Sequence, residues 1–171
     1  MKLHVGSGNK RIPGWANVDI RKEVKPDFLC PAEDLRDIRG NTVDALYASH
    51  VLEHFPLAQV PQVLAEWHRV LKPDGQFYVA VPDFRALVWL YLENGTPLAR
   101  LRGALWGGQE YKANFHFTGW DHDTLVAQLK PHFKEIRKVL NFSFLPASFR
   151  DYSSFQLDGY ACSLNLEGVA R

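Results

Sequence analysis

Val5-Gly-Ser-Gly-Asn9, closing the short apolar run that opens the chain, and Trp15-Ala-Asn-Val-Asp19-Ile20 just after it decide how this sequence reads. Two glycines after a strand let the backbone turn sharply and approach a ligand closely, because neither carries a Cβ. An acid closing the next strand is placed to accept hydrogen bonds from a ribose diol. The pair is the footprint of a nucleoside-bearing cofactor. Spacing then selects the nucleoside. A dinucleotide fold uses Gly-x-Gly-x-x-Gly at the start of a helix, with its acid about 20 residues further on. Here Arg11 stands in place of the third glycine, Asp19 comes too soon for an intervening helix, and Pro13 interrupts the loop. Proline cannot continue a helix, so an adenosine without phosphates fits better than a dinucleotide, and a nicotinamide-dependent reductase is disfavoured. The competing reading is a plain Gly-rich turn between two strands, followed by a surface aspartate.

At 171 residues the chain reads as one domain, residues 1–171, long enough to bury a core. Its 46% hydrophobic and 23% charged residues match an ordinary globular composition. A net charge of +1 argues against a general nucleic-acid binder, whose binding domain is usually strongly basic. No apolar run is long enough to span a membrane and the chain enters a strand at once, so neither a membrane segment nor a secretory signal is expected. The expected location is cytoplasmic. Cys30 and Cys162 are too few and too far apart for a disulfide framework or a CxxC metal motif, and no metal is expected. Both read as buried thiols, Cys30 near the site.

Strands are expected at Lys2–Val5, Ala16–Ile20, Phe28–Cys30, Asp44–Ser49 and Gln76–Val81, each bounded by Gly, Pro, Asn or Asp. Leu57, Val60, Val63, Leu64, Trp67, Val70 and Leu71 recur on one face at 3.6 residues per turn, which predicts a helix ended by Pro73-Asp-Gly75. Strand, helix, strand implies a parallel pair, and hence an α/β fold with a doubly wound, mostly parallel sheet. Asp83 is suited to cap a helix running to about Leu92, and further helices are expected at 97–106 and 121–130. Residues 136–142 and 160–169 read as the last strands. Between Gly107 and Gly119 lies a loop rich in aromatics and amides, of a length that is often functional.

Taken in order, Leu3-His-Val-Gly-Ser-Gly8 with Asn17-Val-Asp19, Asp44-Ala-Leu-Tyr-Ala-Ser-His-Val-Leu-Glu-His54, Arg69-Val-Leu-Lys-Pro-Asp-Gly75 and Val81-Pro-Asp-Phe84 resemble the class I S-adenosylmethionine-dependent methyltransferases. Within that class the chain resembles a compact bacterial branch, type 11-like, whose glycine loop runs straight into Pro-Gly-Trp. Gly107-Gly-Gln109, His116 with Trp120, and Ser163-Leu-Asn-Leu-Glu167 extend the likeness over nearly the whole chain. The resemblance implies a seven-stranded Rossmann-like sheet with its last strand antiparallel, the first crossover helix here reduced to a loop. It implies S-adenosyl-L-methionine as cofactor. Gly6, Ser7 and Gly8 would face its methionine part, Asp19 and the neighbouring Ile20 its ribose side. Asp34 and Leu35 would meet adenine through a carboxylate and a backbone N–H, with Glu33 competing for the carboxylate role because Pro31 replaces a common aspartate. Ser49 and His50 would sit beside the sulfonium.

Methyl transfer asks the protein mainly to align an acceptor and, for a hydroxyl, to remove its proton. A histidine suits that transfer. His116 is the favoured acceptor-side base, with Gln109 orienting the acceptor and His50 the third catalytic candidate; His54 reads as structural. Both His116 and Gln109 could instead only tie the loop to the core. Trp89, Tyr91, Trp106, Tyr111, Phe115, Phe117 and Trp120 could line an acceptor pocket or fill the core, and Arg100, Arg102 and Lys112 could attract an anion or form a solvated face. A small molecule or glycan hydroxyl is the preferred acceptor, and a monomer or homodimer the expected state. Two further readings compete: a protein that binds the cofactor without transfer, and a zinc protease using His50-x-x-Glu53-His54. The second lacks support, since His50 follows a strand and Pro56 closes the segment too soon for a long helix.

Overall fold

The computed structural model describes residues 1–171, the side chain of Lys112 excepted. Its strands are β1 (Lys2–Val5), β2 (Ala16–Asp19), β3 (Phe28–Leu29), β4 (Val43–Ser49), β5 (Leu71–Pro82), β6 (Phe133–Val139), β7 (Gln156–Leu157), β8 (Tyr160–Ala161) and β9 (Ser163–Ala170). The helices are α1 (Val60–Val70), α2 (Phe84–Leu92), α3 (Leu98–Trp106) and α4 (His122–Leu129). Seven strands form one sheet in the order β3-β2-β1-β4-β5-β9-β6. All neighbouring pairs are parallel except those made by β9, which runs antiparallel to both β5 and β6. The expected doubly wound sheet with an antiparallel last strand is therefore present.

Alternation along the strands divides the sheet's two faces, since successive side chains point to opposite sides. Leu3, Val5, Val18, Leu46, Ala48, Phe77, Val79, Leu164 and Leu166 join one buried cluster with Val63, Leu64 and Trp67 of α1 and Leu125 and Leu129 of α4. The opposite face carries His4, Asn17, Asp19, Tyr47, Ser163 and Asn165, all buried. No helix stands between β1 and β2; that stretch is a loop held by Ser7 N–H to Val18 O at 3.1 Å and Trp15 N–H to Ile12 O at 3.1 Å. Aromatic rings cover the sheet in the helix's place: Trp15 stacks on Phe144 with centroids 4.7 Å apart, and Tyr47 meets Phe142 edge-on at 5.3 Å. This face thus combines a ring-packed end with a polar end, and the polar end carries the site.

Several boundaries depart from the expectations. Helix α1 starts at Val60 because Pro61 occupies its first turn, where a missing N–H costs nothing; Leu57 lies outside it, exposed. Leu71 already belongs to β5, and Lys72–Gly75 form an irregularity between the pairs Val43–Leu71 and Ala45–Gln76. Strand β6 begins at Phe133, whose ring stacks on Phe77 at 3.9 Å, and ends before Phe142. The single last strand expected at 160–169 is broken at Cys162, and β7 and β8 form a separate hairpin turning at Asp158-Gly159. Asp83 caps α2 through the Ala86 N–H at 3.3 Å, as its position implied, and Asp121 with Thr124 makes a reciprocal cap at α4.

Candidate active site

The C-terminal ends of β1, β2, β3 and β4 meet at one edge of the sheet, and two adjoining cavities open there. One, of about 630 Å³, is lined by Asp19, Ile20, Cys30, Pro31, Ala32, Glu33, Val51 and Phe55 among others. The other, of about 740 Å³, is lined by His4, Ser7, Gly8, Ser49, Asn114, Arg150, Asp151 and Tyr152 among others. Gly6, Arg21, His50, His54 and Tyr111 line both.

Gly6 and Gly8 have positive φ, +64° and +54°. A Cβ on Gly6 would collide with Val51 Cγ2, so only glycine allows the turn to lie against the segment that follows β4. Asp19 is 5% exposed, which removes the surface-aspartate alternative. Its Oδ2 accepts the Gly8 N–H at 2.7 Å, and its Oδ1 accepts the Arg21 N–H at 2.9 Å and Arg21 Nε–H at 3.2 Å. A carboxylate offers about four lone-pair sites, so Oδ2 retains one for a ligand. Arg21 in turn lies 5.7 Å from the Tyr111 ring, bringing the loop rich in aromatics over the cleft. Ile20, 59% exposed, presents an apolar surface beside Asp19.

Ser49 and His50 end β4. Ser49 Oγ is buried with no partner, an orphan polar atom pointing to a ligand-bearing site. His50 has φ +53°, its Nε2 lies 3.1 Å from Ser163 Oγ, and its Nδ1 lies 3.3 Å from Glu53 Oε1. Burial pushes the His50 imidazole down to about 3, with neighbouring His116 and His54 adding to the effect. His116 goes down to about 4, burial first and His54 second, and burial lowers His54 as well. Glu53 is fully buried and pushed up to about 8 by loss of hydration.

The sequence-predicted residues separate into two groups. Gly6, Ser7, Gly8, Asp19, Ile20, Ser49 and His50 are brought together at the cleft. Asp34 and Leu35 are not: Asp34 pairs with Arg36 beside a separate groove, and the Leu35 N–H donates to Glu66 Oε1 at 2.8 Å while its side chain enters the core. Glu33 lines the cleft instead. Gln109 is exposed, donating through Nε2 to Trp106 O at 3.2 Å, and lines neither cavity. His116 also stands behind the cleft, its Nδ1 3.1 Å from Ala104 O, whereas His54, expected to be structural, lines both cavities. The His50-x-x-Glu53-His54 segment is a strand end, a positive-φ residue and a 3-10 turn at Leu52–His54, not a helix carrying both histidines on one face. Sequence reasoning missed Arg21, Arg150 and Tyr152, none of which stands in a motif. Trp120 is core, while Trp89, Tyr91, Trp106 and Phe117 are exposed. Arg100 pairs with Asp158 at 2.8 Å, and the Lys112 side chain lies outside the described residues.

A family model described as a methyltransferase domain matches residues 4–79, the span holding the glycine turn, Asp19 and the tip of β4. Residues 4–79 of the chain thus match a methyltransferase domain, and its fold is that of the class I S-adenosylmethionine-dependent methyltransferases. Solved structures share its fold across nearly the whole chain. A SAM-dependent methyltransferase from Archaeoglobus fulgidus aligns with TM-score 0.61 and 12% identity, covering 98% of this chain and 84% of the other. The PH0226 protein of Pyrococcus horikoshii aligns with TM-score 0.61 and 18% identity, covering 99% and 81%. The 1,6-didemethyltoxoflavin-N1-methyltransferase of Burkholderia thailandensis, solved with its acceptor and S-adenosylhomocysteine, aligns with TM-score 0.57 and 18% identity, covering 99% and 69%. No curated protein sequence matches the chain. The residues fit S-adenosylmethionine: two side-chain-free positions, a carboxylate with spare acceptor capacity and the orphan Ser49 hydroxyl line the two adjoining cavities. Among the described residues no helix is long and apolar enough to cross a membrane.

Proposed function

We propose that this chain is an S-adenosylmethionine-dependent methyltransferase acting on a hydroxyl of a small molecule or glycan, with the adenosyl group in the 630 Å³ cavity and the methionine part and the acceptor sharing the 740 Å³ cavity. The supporting observation is that the two cavities adjoin at residues that include Gly6, His50 and His54, which puts the sulfonium, between adenosyl group and methionine part, at the tip of β4. In this reading Asp19 and Ile20 hold the ribose and adenine side, Glu33 faces the adenine edge, and the Gly6–Gly8 backbone together with Ser49 holds the methionine part. The Burkholderia neighbour holds a small-molecule acceptor, which accords with the choice of a small molecule; that enzyme is an N1-methyltransferase, so the choice of a hydroxyl rests on His54 alone.

The sulfonium of the cofactor supplies an already activated methyl group. Left to the chain are alignment and the acceptor's proton. His54 Nδ1 lies 3.0 Å from the Phe115 carbonyl, which can only accept, so the neutral ring carries its proton there and keeps a lone pair on Nε2. That lone pair can receive a hydroxyl proton or bind a cation. Tyr152, 5.3 Å from the His50 ring, and Arg150 wall the acceptor side.

Screening hydroxyl-bearing metabolites and saccharides for S-adenosylhomocysteine release tests the reading. The expected result is turnover that His54→Gln lowers at least about tenfold while affinity for S-adenosylhomocysteine stays within about twofold. Turnover confined to amine or carbon acceptors, or untouched by His54→Gln, overturns it.

A further inference from the structure

We propose that Glu53, His54 and His116 form a binding site for a divalent first-row transition-metal ion such as Zn²⁺. Each offers one ligand atom, and these atoms lie within 4.8 Å of one another. A tetrahedral site with bonds of about 2.1 Å separates its donors by about 3.4 Å, so the three need only draw together by about an ångström.

The strongest pointer is Glu53. Its side chain is fully buried and neither carboxylate oxygen makes a hydrogen bond, although His50 Nδ1 approaches Oε1 to 3.3 Å. A buried carboxyl without donors is costly, and this one is surrounded by imidazoles. His116 Nε2 stands 4.0 Å from Oε1, and the His54 and His116 rings lie edge-on with centroids 4.7 Å apart. Both rings are also set up as ligands. His54 Nδ1 lies 3.0 Å from Phe115 O and His116 Nδ1 lies 3.1 Å from Ala104 O. A carbonyl only accepts, so both protons sit on Nδ1 and both Nε2 lone pairs are available. Metal-bound histidines usually show such a carbonyl partner on the second nitrogen.

The backbone fixes this meeting. Glu53 O accepts the Phe117 N–H at 2.8 Å and the Thr118 N–H at 3.2 Å, which docks the loop carrying His116 onto the turn carrying Glu53 and His54. One carboxylate and two neutral imidazoles form a donor set that suits zinc and its neighbours and leaves at least one coordination position for a further ligand. His54, His116 and His50 all line a cavity of about 370 Å³, so that position has room for water or an acceptor oxygen. The zinc-protease pattern assigned the metal to His50 and His54; here the partner of His54 is His116, far away in sequence. The proposal does not depend on the acceptor class.

The test titrates the untagged, full-length, chelator-treated protein with CoCl₂ and ZnCl₂, following Co²⁺ visible absorption and its displacement by Zn²⁺, with X-ray absorption on the Zn²⁺-loaded wild type. The expected result is one ion per chain, ligated by two imidazoles and oxygen, with Zn²⁺ affinity reduced at least about tenfold in both Glu53→Gln and His116→Gln. Affinity for S-adenosylhomocysteine and the circular dichroism spectrum check that each variant is folded. The paired rings of His68 and His132, 5.4 Å apart, are the place for adventitious binding, so His68→Gln should leave the site intact. Failure of the wild type to bind, loss of binding in His68→Gln alone, or a coordination shell without imidazole overturns the proposal. The X-ray absorption result on the wild type decides the matter even if a variant does not fold.

Discussion

The Asp19 carboxylate accepts the Gly8 N–H at 2.7 Å, tying the end of the second strand to the glycine turn after the first. One side chain therefore both closes the turn and faces the cofactor cleft. In Asp19→Asn, the amide NH₂ is set against either the Gly8 N–H or the Arg21 N–H, and the charge that would hold the ribose diol is lost. Hydrogen bonds to a charged group contribute about 1.5–3 kcal/mol, so the dissociation constant for S-adenosylhomocysteine should rise about 10- to 100-fold by calorimetry. Unchanged affinity would remove the ribose assignment.

Gly6→Ala adds a Cβ where φ is +64° and where Val51 Cγ2 already fills the space. Left-handed backbone for a residue other than glycine and overpacking each cost about 1–3 kcal/mol. The expected thermal unfolding shows a clear loss of stability and, at temperatures where the variant is folded, weakened cofactor binding. Val51→Ala in the same chain should restore only the steric part. Complete restoration would mean that the backbone angle contributes nothing.

Much of this arrangement is legible in the sequence because it follows from local rules. Gly6, Gly8 and Asp19 announce a turn and an acid, and the spacing of Val60, Val63, Leu64 and Trp67 announces the crossover helix. Asp158-Gly159, with φ of 51° and 83°, was also readable as a tight hairpin turn, yet the alternation from Tyr160 onward suggested one continuous strand. Other features have no local signature. That the Leu35 N–H is taken by Glu66 depends on where α1 packs, and a backbone donor looks the same in every sequence. The meeting of His116 with Glu53 depends on backbone hydrogen bonds between a 3-10 turn and a distant loop. Gln109 is a residue type suited to orient an acceptor, but its amide donates to the Trp106 carbonyl.

His4 couples the floor of the cleft to pH. Its ring is buried against Tyr47, centroids 5.1 Å apart, and burial holds its imidazole down to about 4, against the opposing pull of Asp151 and Asp19. Between about 6.5 and 4 the unfolded chain binds a proton at this residue and the folded chain does not, so stability falls as pH drops through that window. The full effect is about 3 kcal/mol. Denaturant unfolding of His4→Phe, which keeps a ring against Tyr47, should show a shallower decline from pH 7 to pH 4.5. The decline should not vanish, since His50 and His116 are held neutral in the same range. An identical slope in variant and wild type would show that His4 is protonated without loss of the fold.

Tyr47 reaches from the middle of β4 to the wall of the acceptor cavity. Its hydroxyl donates to Asp151 Oδ2 at 2.6 Å, while Asp151 Oδ1 accepts the Ser153 N–H at 2.9 Å. Arg150, Asp151 and Tyr152 all line that cavity, so a ring buried in the sheet's aromatic layer fixes the segment that bounds the acceptor. Tyr47→Phe preserves the packing and removes only the bond to the carboxylate, at a cost of about 1.5–3 kcal/mol. Because Asp151 can then turn toward solvent, the loss should be local: amide hydrogen exchange should quicken about tenfold or more across residues 150–155. Exchange in β1 and β4 should change far less. A uniform increase over the whole chain would mean that the hydroxyl supports the core as a unit and does not specifically anchor the cavity wall.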